Sequence, residues 1–277
     1  HHWISCGHEL MLLSRPGTRL TRIAAVADRA QLVRLESLSQ LPGIVGEFAP
    51  DAIVHTACAY GRVGESPVDL LDANVRLGVA LLDAAVTRSG GRIVFLNTGT
   101  VLEPEVSLYA LSKVQFSAWG RAMGAEHKDR LTFIDVRLQQ MYGAGDDRSK
   151  FTTHVLESCR NNETRLALTP GEQRRDFIHI EDVVQAYDLI LAHHGEFASS
   201  DTIDVGSGKA IRMRDFVELA KRLTSSTIQL EFGAVSYRAA EAMLCVADTQ
   251  RLSSLGWQPR FDLESGLRHT LNLSPSA

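Results

Sequence analysis

Three observations predict an α/β fold built on a parallel sheet. Apolar runs alternate with amphipathic stretches through the first half of the chain, as in successive βα units. The run "RIVFLNTGT" is apolar without alternation, as expected of a strand covered on both faces. The 277 residues, 44% hydrophobic and 22% charged, suit one large globular domain or one domain with a smaller lobe.

The elements follow in order. "HELMLLSR" reads as a buried strand ending at Ser14 and Arg15, and a second short strand lies near Leu32 to Leu35. "LPGIVGEF" is a helix, Pro50-Asp51 breaks it, and a strand runs from Ala52 to Thr56. "DLLDANVRLGVALLDAAVTRSG" has helical apolar spacing and stops at Gly90-Gly91. After "RIVFLNTGT" come a helix containing Tyr109 and the strand "RLTFIDVRL". Beyond Gly143 the texture becomes polar and turn-forming, with a strand leading into a helix at "DFIHIEDVVQAYDLILAHH" and Asp182 near the helix start. "DTIDVGSG" is another strand, and a turn and a helix close the chain. No repeat or low-complexity tether separates the halves, so the second lobe is interleaved with the first.

Several function classes are disfavoured. A formal charge of −4 with scattered basic residues gives no polyanion surface, so nucleic acid is not a partner. No apolar run reaches the ~18 residues that span a bilayer, so no membrane association is expected. No signal-peptide pattern opens the chain, although it starts at His1 and leaves upstream targeting open. Cys6, Cys58, Cys159 and Cys245 form no CxxC pair and read as reduced cysteines of a cytoplasmic protein. His193 and His194 are adjacent, poor geometry for a shared metal, and no metal centre is expected.

"SLYALSK" places Tyr109 and Lys113 four residues apart. On a helix that spacing puts both on one face. A phenol with its ordinary pKa near ~10 is a poor catalyst at neutral pH, and a neighbouring ammonium favours the phenolate. An isolated pair of this kind is commonly a surface pair. Here it follows "FLNTGT", whose Thr98 and Thr100 stand at a strand's carboxyl end, where parallel sheets bind ligands. Threonines at a strand end also serve as turn formers.

With "DAIVHTAC", "NVRLGVALLDAA", "FLNTGT", "YALSK", "VRLQQMYGAG", "RRDFIHIEDVVQAY" and "ADTQRLSSLGW" in this order, nearly the whole chain resembles the extended short-chain dehydrogenase/reductase family. These are nucleotide-sugar epimerases, dehydratases and ketoreductases. The resemblance implies a Rossmann-type doubly wound parallel sheet with a smaller C-terminal substrate-binding lobe. Residues 1–143, with about 176–207, would form the dinucleotide-binding domain, and 144–175 with 208–277 the lobe. It implies Tyr109 as the acid/base tyrosine, Lys113 as the lysine that lowers its pKa and holds the nicotinamide ribose, and Thr98 as their hydroxyl partner. Ala57 and Cys58 match strand-end backbone against the dinucleotide. Asn74 matches a cofactor-side helix position, though a polar helix residue reads equally well there. Gln140 and Met141 match cofactor-facing positions after a strand.

The family opens with a strand and a glycine-rich turn at a helix N-terminus that holds pyrophosphate. Both are expected to be absent from this chain, lying immediately before His1 as a mobile phosphate loop; the other reading makes His1 and His2 tag remnants beside a deletion. The second strand ends in Ser14 and Arg15 with Arg19 nearby, donors that suit a ribose 2′-phosphate and favour NADP(H) over NAD(H). Glu36 and Ser37 are candidates for the adenine pocket.

Thr98 is followed by Gly99 and Thr100, without the carboxylate pair of the dehydratases. The wording most resembles the reductases that make CDP-abequose and related dideoxysugars, implying NADPH-dependent reduction of a CDP-linked 4-ketohexose. Gly99 departs from the acidic residue expected in them. Arg175 and Arg238 match positions near the nucleotide phosphates, and guanidinium forks suit such oxygens; Asp176 could instead hold Arg175 in a salt bridge. Gln140 would orient the diphosphate, Thr98 and Thr100 would face substrate, and Lys150 and Phe151 would line the entrance. The resemblance also implies a homodimer packed through the Tyr109 helix and its predecessor. Two alternatives stay open: a 4-epimerase using bound NAD, and a non-catalytic dinucleotide-binding regulator or scaffold.

Overall fold

The computed structural model describes residues 1–273 except 19, 63 and 239. At its centre four parallel strands, Ala52–His55, Ile93–Thr100, Leu131–Leu138 and Ser200–Val205, pair in that order. Parallel neighbours need crossovers, and helices Leu77–Thr87, Leu108–Glu126 and Ile180–Ala192 lie along them. Strands Met11–Ser14 and Gln31–Arg34 form a separate parallel pair. The predicted strands and helices of the first half are present, within a residue or two at most ends.

The helix predicted across residues 69–90 is composite. Pro67–Leu71 is α-helical, Asp72–Arg76 takes a wider π turn, and Leu77–Thr87 resumes the α-helix. Ser66 caps its start in a reciprocal pair with Asp69.

Two faces of the sheet have different cores. Phe95, Phe116 and Phe133, each fully buried, pack between the strands and the helices Leu77–Thr87 and Leu108–Glu126. Burial of rings this size contributes about 2–3 kcal/mol each. Gly120 lets the long helix approach: a Cβ there would stand 2.0 Å from Phe133. The opposite face carries Ile178, Tyr187, Ile190 and Val205. Leu252 and Trp257 join this cluster, although sequence order placed them in the second lobe. Helix Gln250–Ser254, which carries Leu252, lies against strand Ser200–Val205, and just beyond it the Trp257 indole donates to the Asp182 carbonyl at 3.3 Å.

A third cluster, including Val155, Phe177, Phe216 and Leu267, is the core of the lobe. Strand Arg174–His179 is its spine: Ala210–Arg212 pairs antiparallel with it, and Leu244–Cys245 and Gln140–Tyr142 pair parallel.

Candidate active site

A cavity of about 1170 Å³ opens between the carboxyl ends of the central strands and the lobe. It exceeds the volume usual for one small ligand. Thr98, Gly99, Tyr109 and Lys113 line it on the sheet side and Phe151, Arg175 and Arg238 on the lobe side, with Lys150, 5.9 Å from the Tyr60 ring, where the two meet. Cys58, Thr100, Gln140 and Met141 also border it. Residues far apart in sequence therefore meet at one opening.

Tyr109 sits in the first turn of its helix because Ser107 caps it, accepting from the Ala110 N–H at 3.1 Å. Such a cap is worth about 1 kcal/mol. Lys113, one turn later, is 2% exposed. Burial pulls its pKa below the ordinary lysine value, and Cys58 and Asp135 draw it part of the way back. Burial also pushes the Tyr109 phenol above its ordinary value; Cys58 adds to this and Arg62 opposes it. That corrects the expectation that Lys113 brings the phenol down: desolvation, which disfavours phenolate, dominates here. Burial thus favours the phenol form of Tyr109 over the phenolate.

Thr98 does not stand alone. Its hydroxyl and that of Tyr187, on helix Ile180–Ala192, are 2.9 Å apart. Thr100 accepts from the Leu102 N–H at 3.1 Å, a turn-forming contact. Tyr60, absent from the sequence reading, packs its ring on Tyr109 at 5.0 Å between centroids, with Arg62 and Lys150 over it at 5.2 and 5.9 Å. No spacing rule marks Tyr60; only the fold of the segment after Ala52–His55 brings it there.

Asn74 is fully buried. Its amide accepts from the Ala59 N–H at 2.7 Å and donates to the Ala59 carbonyl and the Ser112 hydroxyl, both at 2.9 Å. Ser112 in turn donates to the Tyr109 carbonyl at 2.8 Å. Asn74 therefore clamps the loop carrying Ala57, Cys58 and Tyr60 to the Tyr109 helix, and its amide faces protein instead of a cofactor. Of that loop, Ala57 is exposed.

The adenosine-end candidates lie apart from this cavity. The Ser14 hydroxyl oxygen is shut from solvent and makes no hydrogen bond among the described residues. Arg15 and Arg34 are exposed beside it, and Arg34 ties the loop by donating to the carbonyls of Arg15 and Thr18 at 3.2 and 3.1 Å. Glu36 and Ser37 are exposed, with both N–H groups donating to Gln40, so they form a helix cap. Arg19 lies outside the described residues. An orphaned hydroxyl with guanidinium groups at a strand end, and a buried lysine one helical turn from a phenol, are a donor set that fits a nicotinamide dinucleotide.

At the border with the lobe wall, Lys150 pairs with Asp146 at 2.9 Å. Arg175 pairs with Glu241 and donates to the Arg174 carbonyl at 2.8 Å. Asp176 is not its partner. The Asp176 carboxylate turns inward and accepts from Ser207, Gly208 and Ala247, tying three segments together. Phe151 packs toward Phe216 at 6.2 Å, and Arg238 is exposed.

The sequence pattern of the NAD dependent epimerase/dehydratase family matches residues 1–206. CDP-abequose synthase of Salmonella muenchen is 31% identical, across 99% of this chain and 92% of that protein. CDP-abequose synthase of Salmonella typhimurium is also 31% identical, across 86% of this chain and 83% of that protein. Among solved structures, UDP-glucose 4-epimerase of Thermotoga maritima, determined with UDP-glucose, superposes with a TM-score of 0.83 over 98% of this chain and 92% of that chain. At 18% identity that likeness concerns the fold alone.

Proposed function

The chain belongs to the NAD dependent epimerase/dehydratase family, and on that premise we propose that it reduces the 4-keto group of a CDP-linked deoxyhexose with NADPH. At the level of the family it is an NAD(P)-dependent enzyme of nucleotide-sugar chemistry. The observation carrying the finer reading is that Tyr109, Lys113 and Thr98 line one cavity. The likeness to two CDP-abequose synthases supports the choice of nucleotide and ketone.

The nicotinamide dinucleotide, when bound, supplies hydride to the carbonyl carbon. Tyr109 gives its phenolic proton to the carbonyl oxygen as negative charge grows there. The Lys113 ammonium favours that charge, and Thr98 donates to the same oxygen when Tyr187 donates to Thr98. Lys113 would hold the nicotinamide ribose, while Arg15 and Arg34, exposed beside Ser14, would hold the adenosine ribose and its 2′-phosphate. Reduction consumes the phenol form that burial favours.

Lys150, Arg175 and Arg238 would meet the diphosphate, with Arg175 leaving Glu241 to do so. Val68, Leu71, Leu108, Leu111 and Trp119 are exposed apolar side chains on the Tyr109 helix and its predecessor. They support a homodimer packed through these helices, which light scattering would detect as twice the 30.4 kDa chain mass.

The deciding experiment incubates the protein with NADPH and a panel of CDP-, dTDP-, UDP- and GDP-linked 4-ketosugars, following absorbance and identifying the product. Consumption with the CDP-linked 3,6-dideoxy ketone is expected. Epimerised sugar with no net NADPH loss would replace this reading with the epimerase one, and no binding of NADPH would favour a scaffold.

A further inference from the structure

The backbone of Tyr109 is fixed, but nothing in its own helix fixes its ring. Ser107 caps the helix, and Ser112 donates to the Tyr109 carbonyl at 2.8 Å. Rotatable side-chain torsions still separate that backbone from the phenol. Among the described residues no hydrogen bond holds the Tyr109 hydroxyl. A reacting group displaced by about 1 Å costs about 10²-fold in rate, so the ring needs a support of its own.

The aromatic neighbour of that ring is Tyr60. The two ring centroids are 5.0 Å apart and the ring planes meet at 31°, within the range of favourable aromatic pairs. The Tyr60 backbone is held on both sides. Before it, the N–H and carbonyl of buried Ala59 both bond the Asn74 amide, at 2.7 and 2.9 Å. After it, Gly61 turns the chain at φ 69°, in the left-handed region open to glycine. The same Asn74 amide donates to Ser112 at 2.9 Å, the residue that donates to the Tyr109 carbonyl. One buried amide thus ties together the backbones that carry both rings.

The Tyr60 ring is also held from the border with the lobe. Arg62 and Lys150 stand over it at 5.2 and 5.9 Å, distances at which a cation is drawn to a ring face. Both cations are anchored in turn. Arg62 donates to the Ser149 carbonyl at 3.2 Å, and Lys150 pairs with Asp146 at 2.9 Å.

We propose that Tyr60 is a positioning residue: its ring, fixed through Asn74 and Gly61 at the backbone and through Arg62 and Lys150 at its face, holds the Tyr109 ring so that the phenol meets the substrate oxygen. The inference rests on the reading of Tyr109 as the proton donor. Tyr60 acts by ring contact, and its own hydroxyl takes no part in the proton transfer.

The test reads contact and chemistry separately. The chain has five tyrosines, so ¹³C labelling of the tyrosine rings gives a short spectrum in which Tyr109→Phe identifies the Tyr109 signals. Tyr60→Leu removes the neighbouring ring current and is expected to move those signals. Tyr60→Phe keeps the ring and should leave them near their wild-type positions. In turnover with NADPH, Tyr60→Leu is expected to lower kcat by about 10–10²-fold, with KM and NADPH affinity unchanged. The solvent deuterium isotope effect on kcat should rise, because proton delivery becomes the slow step, and Tyr60→Phe should restore both. Loss of folded protein alone would lower kcat without touching the isotope effect. Unmoved Tyr109 signals, an unchanged isotope effect, or a loss confined to KM or NADPH affinity overturns the proposal. Should Tyr60→Leu not fold by circular dichroism, Tyr60→Met, which fills the space without a ring, replaces it with the same outcomes. Tyr109 signals that move in protein showing no NADPH turnover with any 4-ketosugar support the hold of Tyr60 on the ring and overturn the reductase reading alone.

Discussion

The two walls of the cavity are built in opposite ways. The sheet wall sets Thr98, Tyr109 and Lys113 on a strand end and a capped helix, backed by fully buried phenylalanines. The lobe wall sets Arg175 on a strand and Arg238 in an irregular segment, with Lys150 at a helix N-cap on its border with the sheet wall; Lys150 and Arg175 are already paired to carboxylates of the chain. The difference separates two tasks. Chemistry needs groups fixed to fractions of an ångström, which regular elements supply. Recognition of a flexible diphosphate tolerates cations that exchange one anionic partner for another.

The largest expected effect breaks the sheet wall. Tyr109→Phe removes the proton donor and should lower kcat by about 10²–10⁴-fold, leaving NADPH affinity, read by fluorescence titration, nearly unchanged. Retained turnover would show that another group supplies the proton and would move the chemistry off this wall.

The next effect tests what joins the two walls. Asp176→Ala strips the acceptor from the N–H groups of Ser207, Gly208 and Ala247, which donate to it at 2.7, 2.9 and 3.1 Å. Leaving them unpaired should cost about 3 kcal/mol, seen in a melting curve as a fall of roughly 6–12 °C. A melt unchanged within a degree would mean that water replaces the carboxylate.

The sheet wall was legible in the sequence for a physical reason. Strands covered on both faces must be apolar throughout, and Tyr109 and Lys113 are neighbours by helical spacing alone. What the sequence hides is environment. Spacing says that Lys113 is one turn from Tyr109, but not that burial is the largest influence on the phenol. Asn74 looked like a ligand contact because its true partner, Ala59, is fifteen residues away. The alternative that Asp176 holds Arg175 ran against a hint in the sequence: adjacent strand residues point to opposite faces, so the two were poorly placed to pair.

A smaller effect sharpens the sheet wall. Tyr187→Phe removes the hydroxyl that meets Thr98 inside a packed cluster. The ring keeps its packing, so stability should fall by only about 1 kcal/mol. Thr98 then loses its orientation, and kcat should drop a few-fold with KM unchanged. A change confined to KM would place Thr98 in substrate binding instead of the reaction.

The smallest effect concerns the lobe wall. Glu241 and Arg175 are both largely buried, with side chains 20% and 13% exposed, so their pairing is only partly screened by water. A diphosphate approaching Arg175 must compete with that carboxylate. Glu241→Gln keeps the shape and removes the competing charge, so CDP should bind a few-fold more tightly by calorimetry. The gain should shrink as salt rises, because screening weakens the competing pair and the incoming phosphate alike. Weaker binding would give Glu241 the opposite role: a brace that aims the Arg175 guanidinium at its ligand. The lobe wall would then be as fixed as the sheet wall, and the division between rigid chemistry and yielding recognition would not hold for this protein.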